Sequence, residues 1–98
     1  MSKASDKVNS QELYRAILSL ESEDECRRFF KDLCTIAELR AMEQRYDVAV
    51  LLDQGLVYSD ILERTGASSA TISRVNKALN YGEDGYKDVL RHMREQHN

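Results

Sequence analysis

Two Ser/Thr-x-x-Glu boxes, Ser22-Glu23-Asp24-Glu25 and Thr35-Ile36-Ala37-Glu38, stand in a chain of 98 residues that contains no proline. In such a box the hydroxyl can accept from the third amide inside a helix while the carboxylate reaches back over the first turn. Without proline, little interrupts the helices these boxes start. Only four glycines are present, and no run alternates apolar and polar residues with period two. The pattern predicts an all-α fold of six helices.

The boundaries follow from caps and apolar spacing. A first helix runs from Ser10 to Leu20, with Leu13, Tyr14, Ile17, Leu18 and Leu20 apolar. A second follows Ser22 and turns Cys26, Phe29, Phe30 and Leu33 inward. The longest runs from about Ile36 to Gln54, with Ile36, Leu39, Met42, Tyr46, Ala49, Val50 and Leu52 as its apolar positions, and ends at Gly55 as a left-handed cap. Shorter units follow at Tyr58–Arg64 and from Ser68 to about Asn80, stopped by Tyr81-Gly82. A last helix, roughly Asp84 to Gln96, buries Tyr86, Val89, Leu90 and Met93. Residues 1–9 read as a disordered tail, and residues 10–98 as one all-helical domain.

A domain this small buries a limited share of its surface, so a partner subunit would help stabilise it. The net charge of −3 does not by itself point to nucleic acid. Residues 58–82, however, carry Arg64, Arg74 and Lys77 against Asp60 and Glu63, a balance of +1 beside −2 for residues 41–57.

That section reads YSDILERTGASSATISRVNK over residues 58–77. It predicts a helix-turn-helix, spanning about 58–80. Gly66 suits a turn that needs positive φ. Ile61 and Leu62 before it, and Ile72 and Val75 after it, would pack the two helices together. The second helix, capped by Ser68, would then present Ser69, Ala70, Ser73, Arg74 and Lys77 outward, with Thr71 beside them. Small polar residues permit close approach to a major groove, hydroxyls and an alanine methyl can meet base edges, and the two cations suit phosphates. The competing reading is an ordinary helical hairpin with a polar outer face.

Residues 33–79 also resemble the Trp repressor family, in particular its shorter YerC/YecD-type relatives. The resemblance rests on Leu33-Cys34-Thr35, Glu38, Arg45, Leu51-Leu52 before Gly55, and Gly66-Ala67 with Ala70-Thr71-Ile72-Ser73-Arg74. The Thr65–Ser68 turn and the stretch from Arg74 to Gly82 resemble the short sub-family. The resemblance implies an intertwined homodimer whose two reading helices face successive major grooves about 34 Å apart. The stripe of Leu13, Tyr14, Ile17 and Phe30 would then be dimer interface rather than intrachain core.

The resemblance also implies a candidate ligand pocket at Thr35, Arg45 and Arg74, because tryptophan-binding members hold the indole between two arginines. Here Val75 stands where those members have glycine, and Ala78 where they have serine. A valine side chain fills the space the indole would occupy, so the reading helices are expected to be set without tryptophan. Arg74 is then expected at a DNA phosphate and Arg45 beside a local acid, Glu43 or Asp47, in preference to a different small-molecule effector.

Other classes fit less well. Both histidines, His92 and His97, lie in the charged tail, and no nucleophile–base set, glycine-rich phosphate loop or metal-binding spacing is present. No enzyme activity, cofactor or metal is expected. Cys26 and Cys34, eight apart, are about 12 Å apart if they share a helix, too far for a disulfide, and read as buried thiols. No signal peptide or membrane span is evident, which implies a cytoplasmic protein. The rival function is a module that docks a protein partner through the helix-turn-helix.

Overall fold

A computed structural model describes residues 11–96. Within them the chain forms six helices and no strand: α1 Gln11–Leu18, α2 Glu23–Leu33, α3 Ile36–Asp53, α4 Tyr58–Thr65, α5 Ser69–Tyr81 and α6 Gly85–Gln96. The expected tail, Ser10 and His97 lie outside the described residues. The chain divides into two compact units, one ending at Leu39 and one beginning at Arg40.

In the first unit, Ser22 caps α2 by accepting from the Glu25 amide at 3.0 Å. The Glu25 carboxylate reaches back as expected, but one residue further, to the amide of Glu21 at 2.7 Å. The second box closes in both directions: Thr35 Oγ1 accepts from Glu38 N at 3.0 Å, and Glu38 Oε1 accepts from Thr35 N at 2.8 Å. Asp24, near the positive end of the α2 dipole, also takes Arg27 and Arg28 one turn later.

No residue of α1 or α2 is buried within the chain. Cys26, Phe29 and Phe30 are half-buried, while Leu33 is exposed. The two cysteines are free and half-buried, rather than fully buried as expected.

The second unit holds the core. Val48 and Ala49 of α3, Ile61 of α4, Ala67 of the turn, and Ile72 and Val75 of α5 are all buried, with Leu51, Leu52, Leu56 and Tyr86 packed against them. Gly55, at φ +87°, lets the chain leave α3: Leu56 N donates to Leu51 O, and Gly55 N to Leu52 O. This pair of bonds is a Schellman closure, which needs the left-handed residue that glycine adopts without strain.

Several expected inward residues face out. Leu62 is exposed, because α4 has barely two turns and Ile61 alone occupies its buried side. On α6 only Leu90 is buried. Tyr86 is half-buried, and Val89 and Met93 are exposed. Ile36 is exposed at the start of α3, whereas Val48, not among the expected inward positions, is fully buried. Apolar residues are spread around α3, so spacing alone does not select one inward stripe.

Candidate nucleic-acid interface

Four hydrogen bonds fix the connection between α4 and α5. Gly66 sits at φ +73° and donates its amide to Leu62 O at 2.8 Å, ending α4. The Thr65 hydroxyl donates to Ile61 O at 2.7 Å and accepts from Ala67 N at 3.1 Å. From α3, Gln44 Nε2 donates to Thr65 O at 3.2 Å. Ala67 then enters the core, where its small side chain lets the turn lie close to its neighbours.

Ser68 starts α5. Its hydroxyl accepts from Thr71 N and donates to Thr71 Oγ1, both at 3.1 Å. The cap removes one of the orphan amides of the first turn. Ile72, Val75 and Leu79 recur at i, i+3 and i+7, and all three are buried. With that side fixed, Ser69, Ala70, Ser73, Arg74 and Lys77 fall on the exposed side. Thr71 is half-buried at its margin. Among the described residues, no intrachain hydrogen bond occupies the side chain of Ser69 or Ser73.

The arginines fall into two groups. Arg27 and Arg28 pair with acids on α2, Arg91 with Asp88 and Glu95, and Arg94 with Asp53. Among the described residues, Arg15, Arg40, Arg45, Arg64 and Arg74 meet no acidic side chain, and neither does Lys77. The expected partnership of Arg45 with Glu43 or Asp47 is therefore absent. Those acids stand two positions away on α3, and residues two apart on a helix do not face each other.

Arg45 and Arg74 line one recess of about 230 Å³, together with Ala41, Gln44, Ala70 and Thr71. Of the three candidate pocket residues, these two come together. Thr35 belongs to the first unit, where its hydroxyl is the α3 cap. Val75 is 1% exposed and packs in the core. Ala78 lines a different, almost wholly apolar recess with Tyr46, Tyr86 and Val89.

Spacing does not single out Gln44, Thr65 or Ala67. A small residue just before a Ser cap is the one signal that points to Ala67. The bonds of Thr65 and Gln44 depend on backbone geometry that spacing does not encode.

Among the described residues, no three His, Cys, Asp or Glu side chains converge as a metal site, and no helix is long and apolar enough to cross a membrane.

Residues 9–94 match the family model described as Trp repressor protein. The chain is 48% identical over 93 residues to the YerC protein of Bacillus subtilis (strain 168), described as uncharacterized, covering 92% of this chain and 89% of that one. Among solved structures, it is similar to a candidate Trp repressor from Staphylococcus aureus: TM-score 0.83, 46% identity, 86% of this chain and 84% of the other. It is also similar to a TrpR-like protein from Eubacterium eligens ATCC 27750, with a TM-score of 0.82, 52% identity, and coverage of 85% and 86%.

Proposed function

The chain belongs to the Trp repressor protein family, and from that premise we propose that it is a sequence-specific regulator of transcription. It binds duplex DNA as a homodimer through the helix-turn-helix of α4 and α5, and it does so without tryptophan. It works as a binding protein in the cytoplasm, not as an enzyme, and as a single domain.

The observation that carries this reading is the outward side of α5. It combines Ser69, Ala70 and Ser73 with two cations, Arg74 and Lys77, that no acid neutralises among the described residues. Ser69, Ala70, Thr71 and Ser73 are assigned to base edges and groove walls, Arg74 and Lys77 to phosphates, and Ser68 to capping the helix that carries them. Apart from Tyr81 at its C-terminal end, this side has no large exposed apolar residue, which favours DNA over a hydrophobic protein partner.

Two observations support the homodimer. The first unit buries no side chain of α1 or α2, while Tyr14, Leu18, Leu33 and Ile36 are each at least half exposed. Apolar exposure of that extent marks an interaction surface. In the second unit, Tyr46, Val50, Leu90 and Met93 line a further recess of about 480 Å³, with Asp53, Gln54 and Arg94 at its polar part.

Independence from tryptophan rests on Val75, whose methyls occupy the core behind α5. Burying them contributes on the order of 1–2 kcal/mol toward holding that helix in place.

Selection of bound duplexes from a random pool, with and without amino acids, tests the proposal. A palindromic consensus obtained equally in both pools is the expected result. Absence of any consensus, together with binding indifferent to salt, would favour the protein-docking reading instead.

A further inference from the structure

The side-chain hydrogen bonds between described residues are mostly local, joining positions one to four apart. Two span long stretches of sequence. Arg94 to Asp53 lies at the exposed surface, while Gln44 to Thr65 is partly buried. The second joins α3 to the last carbonyl of α4. A carbonyl at a helix C-terminus has no partner inside its own helix and must find one elsewhere. Here the partner is a side-chain amide from an element 21 positions earlier in the chain.

The same threonine is held at its other end. Its hydroxyl donates to Ile61 O and accepts from Ala67 N, the amide one residue before the Ser68 cap. Gln44 is thus joined through Thr65 to the turn that launches α5. Gln44 also lines the recess shared by Arg45, Thr71 and Arg74, so its anchor point lies beside the exposed side of α5.

We infer that Gln44 is a positioning residue. Acting through Thr65, it fixes the angle at which α5 leaves the turn, and so sets how tightly the protein distinguishes its own DNA site from other duplexes. This inference rests on the DNA-binding reading and adds to it a device that sets specificity. It does not require Gln44 to touch DNA. A rotation of α5 about the Gly66 turn would displace Ser69 and Ser73 relative to base edges. Contacts with phosphate tolerate such a change better, because charge attraction is less directional than paired hydrogen bonds.

Gln44→Met keeps the length and packing of the side chain and removes the donor. Gln44→Glu places a carboxylate oxygen against a carbonyl oxygen. Thr65→Ser keeps the hydroxyl. Two measurements on the full chain are compared with the unsubstituted protein. One is the ratio of affinities for the selected duplex and a scrambled duplex of equal length. The other is amide hydrogen exchange at Gly66 and Ala67.

Gln44→Met is expected to lower the ratio about tenfold, the scale of one hydrogen bond to a group otherwise left unpaired. Affinity for the scrambled duplex should change little, while the thermal midpoint falls by several degrees as the Thr65 carbonyl loses its partner. Gln44→Glu should lower the ratio further, and Thr65→Ser should retain it. Exchange at both amides should rise about tenfold in Gln44→Met.

A role limited to general stability would weaken both duplexes alike and raise exchange throughout the chain rather than at Gly66 and Ala67. That result, or an unchanged ratio in Gln44→Met, overturns the inference. If the unsubstituted protein does not discriminate between the duplexes, the DNA-binding reading fails. The exchange measurement then decides the positioning role alone: unchanged rates at Gly66 and Ala67 overturn it.

Discussion

Arg45 on α3 and Arg74 on α5 line one recess, and neither meets an acidic side chain among the described residues. Two guanidinium groups on adjacent helices repel each other unless solvent or an anion lies between them. In the proposed complex, the phosphate backbone supplies that anion to Arg74. Replacing Arg74 by Ala should lower the slope of log affinity against log salt by about one. Fluorescence anisotropy across a salt series reads this directly. Arg27→Ala, which removes a cation already paired with Glu23 and Asp24, should leave the slope unchanged.

Combining Thr71→Ala with Arg74→Ala should cost at least ~2 kcal/mol of specific binding. The fold should survive, because the Thr71 amide still donates to Ser68 after its side chain is shortened. Circular dichroism checks the helix content. Full-strength binding by the folded double variant would remove this side of α5 as the reader.

Val75→Gly removes the whole isopropyl side chain, Cβ included, from a buried site and puts glycine inside a helix. The cavity and the loss of helix propensity together should destabilise the chain by about 2–4 kcal/mol. DNA affinity should fall with it, as the back of α5 loosens. In the unsubstituted protein, calorimetric titration with tryptophan should show no micromolar binding, and a micromolar isotherm would contradict the assignment of Val75.

The two glycines around the α5–α6 joint should respond oppositely to alanine. A methyl at Gly82 would overlap the carbonyl oxygen of Ala78, at a cost of about 1–3 kcal/mol. A methyl at Gly85 would meet open space, and this residue has no positive φ and stands at the start of α6. Gly85→Ala should therefore stabilise by about 0.4–1 kcal/mol, through a less flexible unfolded chain. Urea denaturation of both variants separates the two effects.

Leu18→Glu and Ile36→Glu each place a charge on a side chain that is largely exposed in the single chain, 85% and 74% respectively. If these residues meet a second copy, sedimentation should shift from dimer to monomer in either variant. A sedimentation coefficient equal to that of the unsubstituted dimer would place the interface elsewhere.

The parts of this molecule that depend on local chemistry were readable in its sequence. Ser68, Thr35, Gly55 and Gly66 each do what their residue type predicts, because a cap or a positive-φ turn is decided within four or five residues. Ile72 and Val75 were readable because α5 has one apolar side. The inward side of α3 was not, since Val48 and Ile36 look equally suitable until neighbouring helices select between them. Leu62 misled for a related reason: a two-turn helix has room for one deeply buried residue, and adjacent Ile61 takes it. In the candidate site, the exposed residues of α5 follow from that single apolar side. The unpaired state of Arg45 follows from helix spacing that a simple count of nearby acids overlooks. The Gln44 to Thr65 bond joins residues whose proximity only the tertiary fold creates.

Val75 also bears on how such a regulator would be controlled. Its side chain is part of the polypeptide and cannot dissociate, so on the proposed reading the DNA-competent geometry persists whatever the supply of free tryptophan. Occupancy of an operator would then be uncoupled from that one amino acid and would rise and fall with the number of copies of the protein synthesised and degraded.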